Sequence, residues 1–144
     1  LAFTGNTNAG WLGYSTEAQA YANTSHIATA TICLDMSASG AVVNMTFDAA
    51  LASIYTAAYT WMRVKVNGTV IADVNNNTAY NNLTLTSSLS SPASLTYDLS
   101  AYSGQSSVTV TFETACNYAT NIVTVDDICV FSVNQCSYYN VSYY

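Results

Sequence analysis

Positive charge is nearly absent from this chain: Arg63 and Lys65 are the only basic side chains in 144 residues. Charged residues of both signs make up 7%, against roughly 25% in an ordinary soluble domain. Nucleic acid binding needs several Lys or Arg to release counterions, so a nucleic acid partner is excluded. An anionic membrane surface is excluded on the same grounds. The net charge of −6 and a pI near 4.1 point the same way. No run of 18 apolar residues is present, so no membrane-spanning helix is expected. No basic segment leads into an apolar stretch, and any signal peptide is therefore expected to be already removed.

Catalytic parts are scarce too. The sole histidine is His26, and no G-x-S-x-G elbow exists, so a serine-hydrolase triad has no assembly kit. The acidic residues Glu17, Asp35, Asp48, Asp73, Asp98, Glu113, Asp126 and Asp127 show no spacing that singles out a pair flanking a glycosidic bond. The chain is expected not to be an enzyme and to hold no cofactor. Hard cations prefer clustered oxygen ligands, and without a D-x-D-x-D run a structural Ca²⁺ has weak support. In strict alternation Asp126 and Asp127 lie on opposite faces of their strand. One of them then points inward, where it must be hydrogen-bonded, paired or metal-bound.

What fills the space is 51% apolar residues with abundant Thr, Ser, Asn and Tyr. A surface of hydroxyls and amides has little charge repulsion to keep copies apart. That composition fits a secreted or cell-surface protein that is glycosylated or self-associating. Four cysteines, Cys33, Cys116, Cys129 and Cys136, form no C-x-x-C pair, and one histidine cannot complete a zinc site. Two disulfides in an oxidising compartment are expected, with three possible connectivities. Cys33–Cys116 with Cys129–Cys136 is the pairing that joins the two nearest in sequence; it requires the chain to turn back after residue 131.

Period-2 alternation dominates, and no helical stripe of useful length is present. Strands are expected at Ile27 to Leu34, Val42 to Asp48, Trp61 to Val66, Thr69 to Ala72, Leu95 to Leu99, Ser107 to Thr114 and Asn121 to Val133, with a short one around Leu83 and Leu85. Asn67-Gly68 is the strongest hairpin signal, since both residues tolerate the positive φ of a type I′ turn. Met62, Val64 and Val66 face the core, leaving Arg63 and Lys65 on the solvent face. There they serve as edge protection or pair with carboxylates of a neighbouring subunit. The last long strand is almost continuously apolar and is expected to be central. About eight strands with polar turns give an all-β, antiparallel, jelly-roll-like sandwich formed by a single domain over 1–144. Segments of about 1–25 and 134–144 are candidates for reaching neighbouring molecules.

The order WMRVKVNGTVI, LTYDLSAYSGQSSVTVTFET and VTVDDICVF resembles the jelly-roll modules of the MAM and cleaved-adhesin type. The resemblance covers residues 40 to 133, and Tyr97-Asp98-Leu99-Ser100, Tyr102, Gly104 and Val125-Asp126-Asp127-Ile128 carry it. It implies a secreted β-sandwich that binds glycans or other proteins.

Six N-x-S/T sequons, at Asn23, Asn44, Asn67, Asn76, Asn82 and Asn140, are a mild excess over the roughly 3.5 expected by chance. Asn76 and Asn82 lie in a polar loop, where a glycan meets least obstruction. Twelve tyrosines include the group Tyr138, Tyr139, Tyr143 and Tyr144. Tyr supplies large contact area with few rotors, so this group is expected to dock onto something. The leading expectation is an extracellular structural or adhesive protein, a filament or surface-layer subunit joined to its own copies by strand addition. The second is a carbohydrate-binding module using Trp11 or Trp61 as a sugar platform.

Overall fold

Successive side chains leave a strand on opposite faces, so alternating sequence becomes a half-buried sheet. The computed structural model describes residues 2–4, 16–22, 27–52, 60–81, 92–116, 122–132 and 135–137. Among them lie nine strands: β1 Ala2–Thr4, β2 Ile27–Leu34, β3 Val43–Ala52, β4 Thr60–Val66, β5 Thr69–Ile71, β6 Ala93–Asp98, β7 Val108–Cys116, β8 Ile122–Ser132 and β9 Gln135–Ser137. The short strand expected around Leu83 and Leu85 falls outside the described residues.

All pairings are antiparallel. β1 pairs β8, β2 pairs β7, β3 pairs β6 and β4 pairs β5, as though the chain were one long hairpin. Rolling that hairpin up brings β3 beside β8 and β4 beside β7. The result is a sheet of order β1-β8-β3-β6, with β9 added on β8, and a second sheet of order β2-β7-β4-β5. This is jelly-roll order. The antiparallel β-sandwich read from the sequence is the fold, and β8 is an inner strand as its apolar run predicts.

The core lies between the sheets. Val43, Met45 and Phe47 of β3 face Met62, Val64 and Val66 of β4 and Val108, Val110 and Phe112 of β7, all buried. Phe47 stacks on Tyr97 at 5.6 Å and meets Phe112 edge-on at 5.1 Å, tying the two sheets together. Each such side chain contributes about 1.5–3 kcal/mol by leaving water. The hairpin between β4 and β5 turns at Asn67 and Gly68, with φ of 48° and 82°. Both values belong to the expected type I′ turn.

Two local features depart from strict alternation. The register of β3 on β8 slips between Thr46 and Asp48, so that Asp127 and Ile128 together oppose Phe47. Asp127 takes a φ of 50° there. An extra residue in a bulge flips the facing of everything beyond it. Val123 and Val125 point inward before the bulge and Val130 after it, while Asp126 and Asp127 are both exposed. Neither Asp is inward, which corrects the expectation from alternation and removes its argument for a bound cation. The second feature is a helix, α1 Glu17–Ala22. Its signal is the capping pattern Thr16-Glu17-Ala18-Gln19, in which Thr16 Oγ1 accepts from the Gln19 N–H at 3.2 Å.

Candidate functional site

The two basic residues sit on β4, between β7 and β5, and so guard no sheet edge. Register places Arg63 directly opposite Glu113 of β7, the one charged residue on that strand's outer face. Arg63 Nε donates to Glu113 Oε2 at 2.5 Å and Lys65 Nζ donates to Oε1 at 2.9 Å. α1 closes over them. Glu17 Oε1 lies 3.3 Å from Arg63 Nη1, and the Tyr21 ring lies under the guanidinium at 3.6 Å. Glu113 is consequently only 7% exposed. Burial pushes its carboxyl up, but the hydrogen bonds and charges of Lys65 and Arg63 outweigh that and hold it below the usual range. Two positive and two negative charges cancel in this cluster, so the net charge of −6 rests on six aspartates elsewhere. Edge protection by Arg63 and Lys65 is therefore overturned, and the carboxylates they pair with belong to their own chain.

A second polar cluster closes one side of the sandwich. Asp73, 6% exposed, follows β5. Its Oδ1 accepts from the Asn75 and Asn77 N–H groups at 3.0 and 2.7 Å, and its Oδ2 accepts from the Tyr80 hydroxyl. The Asn77 amide donates to both oxygens at 3.3 Å. Burial raises this carboxyl, yet the Tyr80, Asn77 and Asn75 donors together leave it lowered. The Tyr80 phenol is pushed up by burial and by the adjoining carboxylate. Knotted this way, the loop covers two strands at once. Val74 N–H donates to Thr96 O of β6, and Tyr80 exchanges both backbone bonds with Met62 of β4. The alternating Asp73-x-Asn75-x-Asn77 pattern was the available sequence signal, since Asx side chains bind backbone N–H groups two residues on.

Among the described residues, the opposite side of the four-stranded sheet is open. β2 is its outermost strand. Asn67 N–H bonds Thr109 O, which directs the odd residues of β7 towards β4 and its even residues towards β2. By register, Ala28, Ala30, Ile32 and Leu34 take those even partners. The backbone groups of Thr29, Thr31 and Cys33 thus point to the open edge, with no strand beyond them among the described residues. Natural edges are usually blunted by a charge, a proline, a bulge or brevity. β2, with sequence IATATICL, has eight residues in unbroken register and none of these devices.

The remaining candidates are distributed as follows. Asn44 is half-buried on β3, between Phe131 and Asp98 of the flanking strands. Asn67 is exposed but turned into β7, accepting from Thr109 N–H at 2.9 Å. Asn76 is exposed, with φ of 67°. Asn23, Asn82, Asn140, Tyr138, Tyr139, Tyr143, Tyr144, His26 and Trp11 lie outside the described residues. Trp61 is 9% exposed, packed with Ala20 and Ala115 beneath α1, so it presents no open face for a sugar.

Cys33 is an exposed, unpaired thiol on β2 opposite Thr109, whereas Cys116 stands opposite Thr60 at the far end of β7. Seven residues of strand span about 23 Å, far beyond the roughly 4.4–6.8 Å between α-carbons that a disulfide needs. The register thus excludes a Cys33–Cys116 bond. The chain does turn back after Ser132, and Cys136 lies opposite Phe131, two residues from Cys129 along β8. No family model matches this chain, and no curated protein matches it either.

Proposed function

We propose that this chain is a structural subunit of an extracellular filament or surface layer, joined to copies of itself by strand addition. The edge of β2, unguarded among the described residues, carries the reading. An incoming extended segment gains a full ladder of main-chain hydrogen bonds there, and alternate side chains set its register. Segment 138–144, YYNVSYY, suits the role of the added strand: seven residues, uncharged, free of Gly and Pro, and rich in β-prone Tyr and Val. Contact between a donated segment and an edge elsewhere on the molecule is head-to-tail, and repeating it gives an open fibre unless the rotation closes. The sparse charge of the surface supports close packing of copies, and so does the resemblance to adhesin modules.

Negative-stain electron microscopy of the native protein tests this. Regular fibres are expected from the unaltered chain, and single small particles from Thr31→Lys and from a chain lacking 138–144. Single particles from the unaltered chain would sink the reading. Fibres from the truncated chain but not from Thr31→Lys would keep β2 as acceptor and move the donor elsewhere in the chain.

A further inference from the structure

We propose that Asn76 carries an N-linked glycan in the native protein. All sequons of an unfolded chain are chemically alike, so the fold decides where a bulky polar group can remain attached without cost. Asn76 meets that requirement in three ways. It lies within Val74–Thr78, five consecutive exposed residues. Its left-handed backbone, φ 67°, closes the turn that starts at Asp73, and its N–H is satisfied by Asp73 O at 2.9 Å. Its side-chain amide makes no hydrogen bond to any described residue.

Neighbouring asparagines show the contrast. Asn77 commits its amide to both oxygens of Asp73. Asn67 commits Oδ1 to Thr109, with Nδ2 directed at Gln105. Asn44 lies between two paired strands, where a sugar would be forced against Phe131 and Asp98.

The turn is also fixed, so the sugar has a defined direction. Asp73 holds the base of the loop through Asn75, Asn77 and Tyr80. Thr78, the hydroxyl residue of the sequon, donates to Glu17 Oε2 at 3.2 Å in the folded protein. That hydroxyl is thus occupied once α1 docks, which assigns sugar transfer to the chain before α1 closes. In the transfer, Asn76 Nδ2 bonds to the anomeric carbon of a lipid-linked sugar phosphate. The carbon–oxygen bond to phosphate breaks, the phosphate keeps the bonding pair, and the amide gives up one proton. The glycan would stand on the closed side of the four-stranded sheet, opposite β2. The inference does not depend on strand addition.

The test is mass spectrometry on protein purified from its native source. Cleavage before aspartate releases residues 73–97, and electron-transfer fragmentation then separates Asn76 from Asn82. A sugar mass on Asn76 is expected, lost in Asn76→Gln and kept in Thr78→Ser, which preserves the sequon. An unmodified Asn76 would overturn the proposal, whether or not Asn82 or another sequon is occupied.

Discussion

The two edges of the four-stranded sheet are treated in opposite ways. On the β4–β5 side, β5 is three residues long, and the loop after it bonds both β4 and β6 through Tyr80 and Val74. On the other side, β2 offers eight residues with no charge, proline or bulge. An exposed ladder edge pairs with any available strand unless something prevents it. A chain able to build the Asp73 knot on one side has the chemistry to close an edge. Among the described residues nothing covers β2, so the two edges differ within a single sheet, and the difference gives it a direction.

Breaking the closed edge should produce the largest effect. Asp73→Ala strands the Asn75 and Asn77 N–H groups and the Tyr80 hydroxyl together. Each buried donor left without a partner costs about 1–3 kcal/mol, and some regain water, so a loss of about 2–4 kcal/mol is expected in urea unfolding. An effect below about 1 kcal/mol would show that the loop is held by something other than its carboxylate.

Acid should act at the closed edge through Asp73 and in the middle of the sheet through Glu113, and more gently. Asp73 and Glu113 both have carboxyls below their ordinary values. A lowered carboxyl stabilises the fold fully above its unfolded pKa, roughly 4, and that stabilisation is lost as pH falls through the lower folded value. The Tm should therefore be nearly flat from about pH 7 to 5 and fall below about pH 4. Glu113→Gln should reduce the acid slope, and a slope unchanged by it would remove Glu113 from the account.

The smallest effect on stability is expected at the open edge. Thr31→Lys removes only the Thr31–Thr111 hydroxyl contact of 2.9 Å, a cross-strand pair of about 0.2–1 kcal/mol. Its Tm should stay close to that of the unaltered chain while assembly fails. A large drop in Tm would mean that β2 is held through Thr31 and that lost assembly reports misfolding.

Most of the sandwich was legible from the sequence because strand facing is a local property. Met62, Val64 and Val66 announce a buried face by alternation alone, and Asn67-Gly68 announces its turn. The bulge at Asp127 was hidden, since alternation carries no mark of one residue too many. The partners of Arg63 and Lys65 were hidden for another reason: Glu113 is fifty residues from Arg63, and only the register of β4 on β7 brings them together. The same long-range register separated Cys33 from Cys116. Of the candidate site, the β-prone uncharged character of IATATICL was visible, but its position at a sheet edge was not.

By itself the sequence determined the period of the strands, the composition of the core and the near absence of charge, because each depends on residue type and immediate spacing. Tertiary structure alone decided which described strand lies outermost, which carboxylate neutralises the two basic residues and which of the described sequons keeps its side-chain amide unengaged. Those outcomes depend on pairing between segments far apart in the chain, where register places side chains that no local pattern relates.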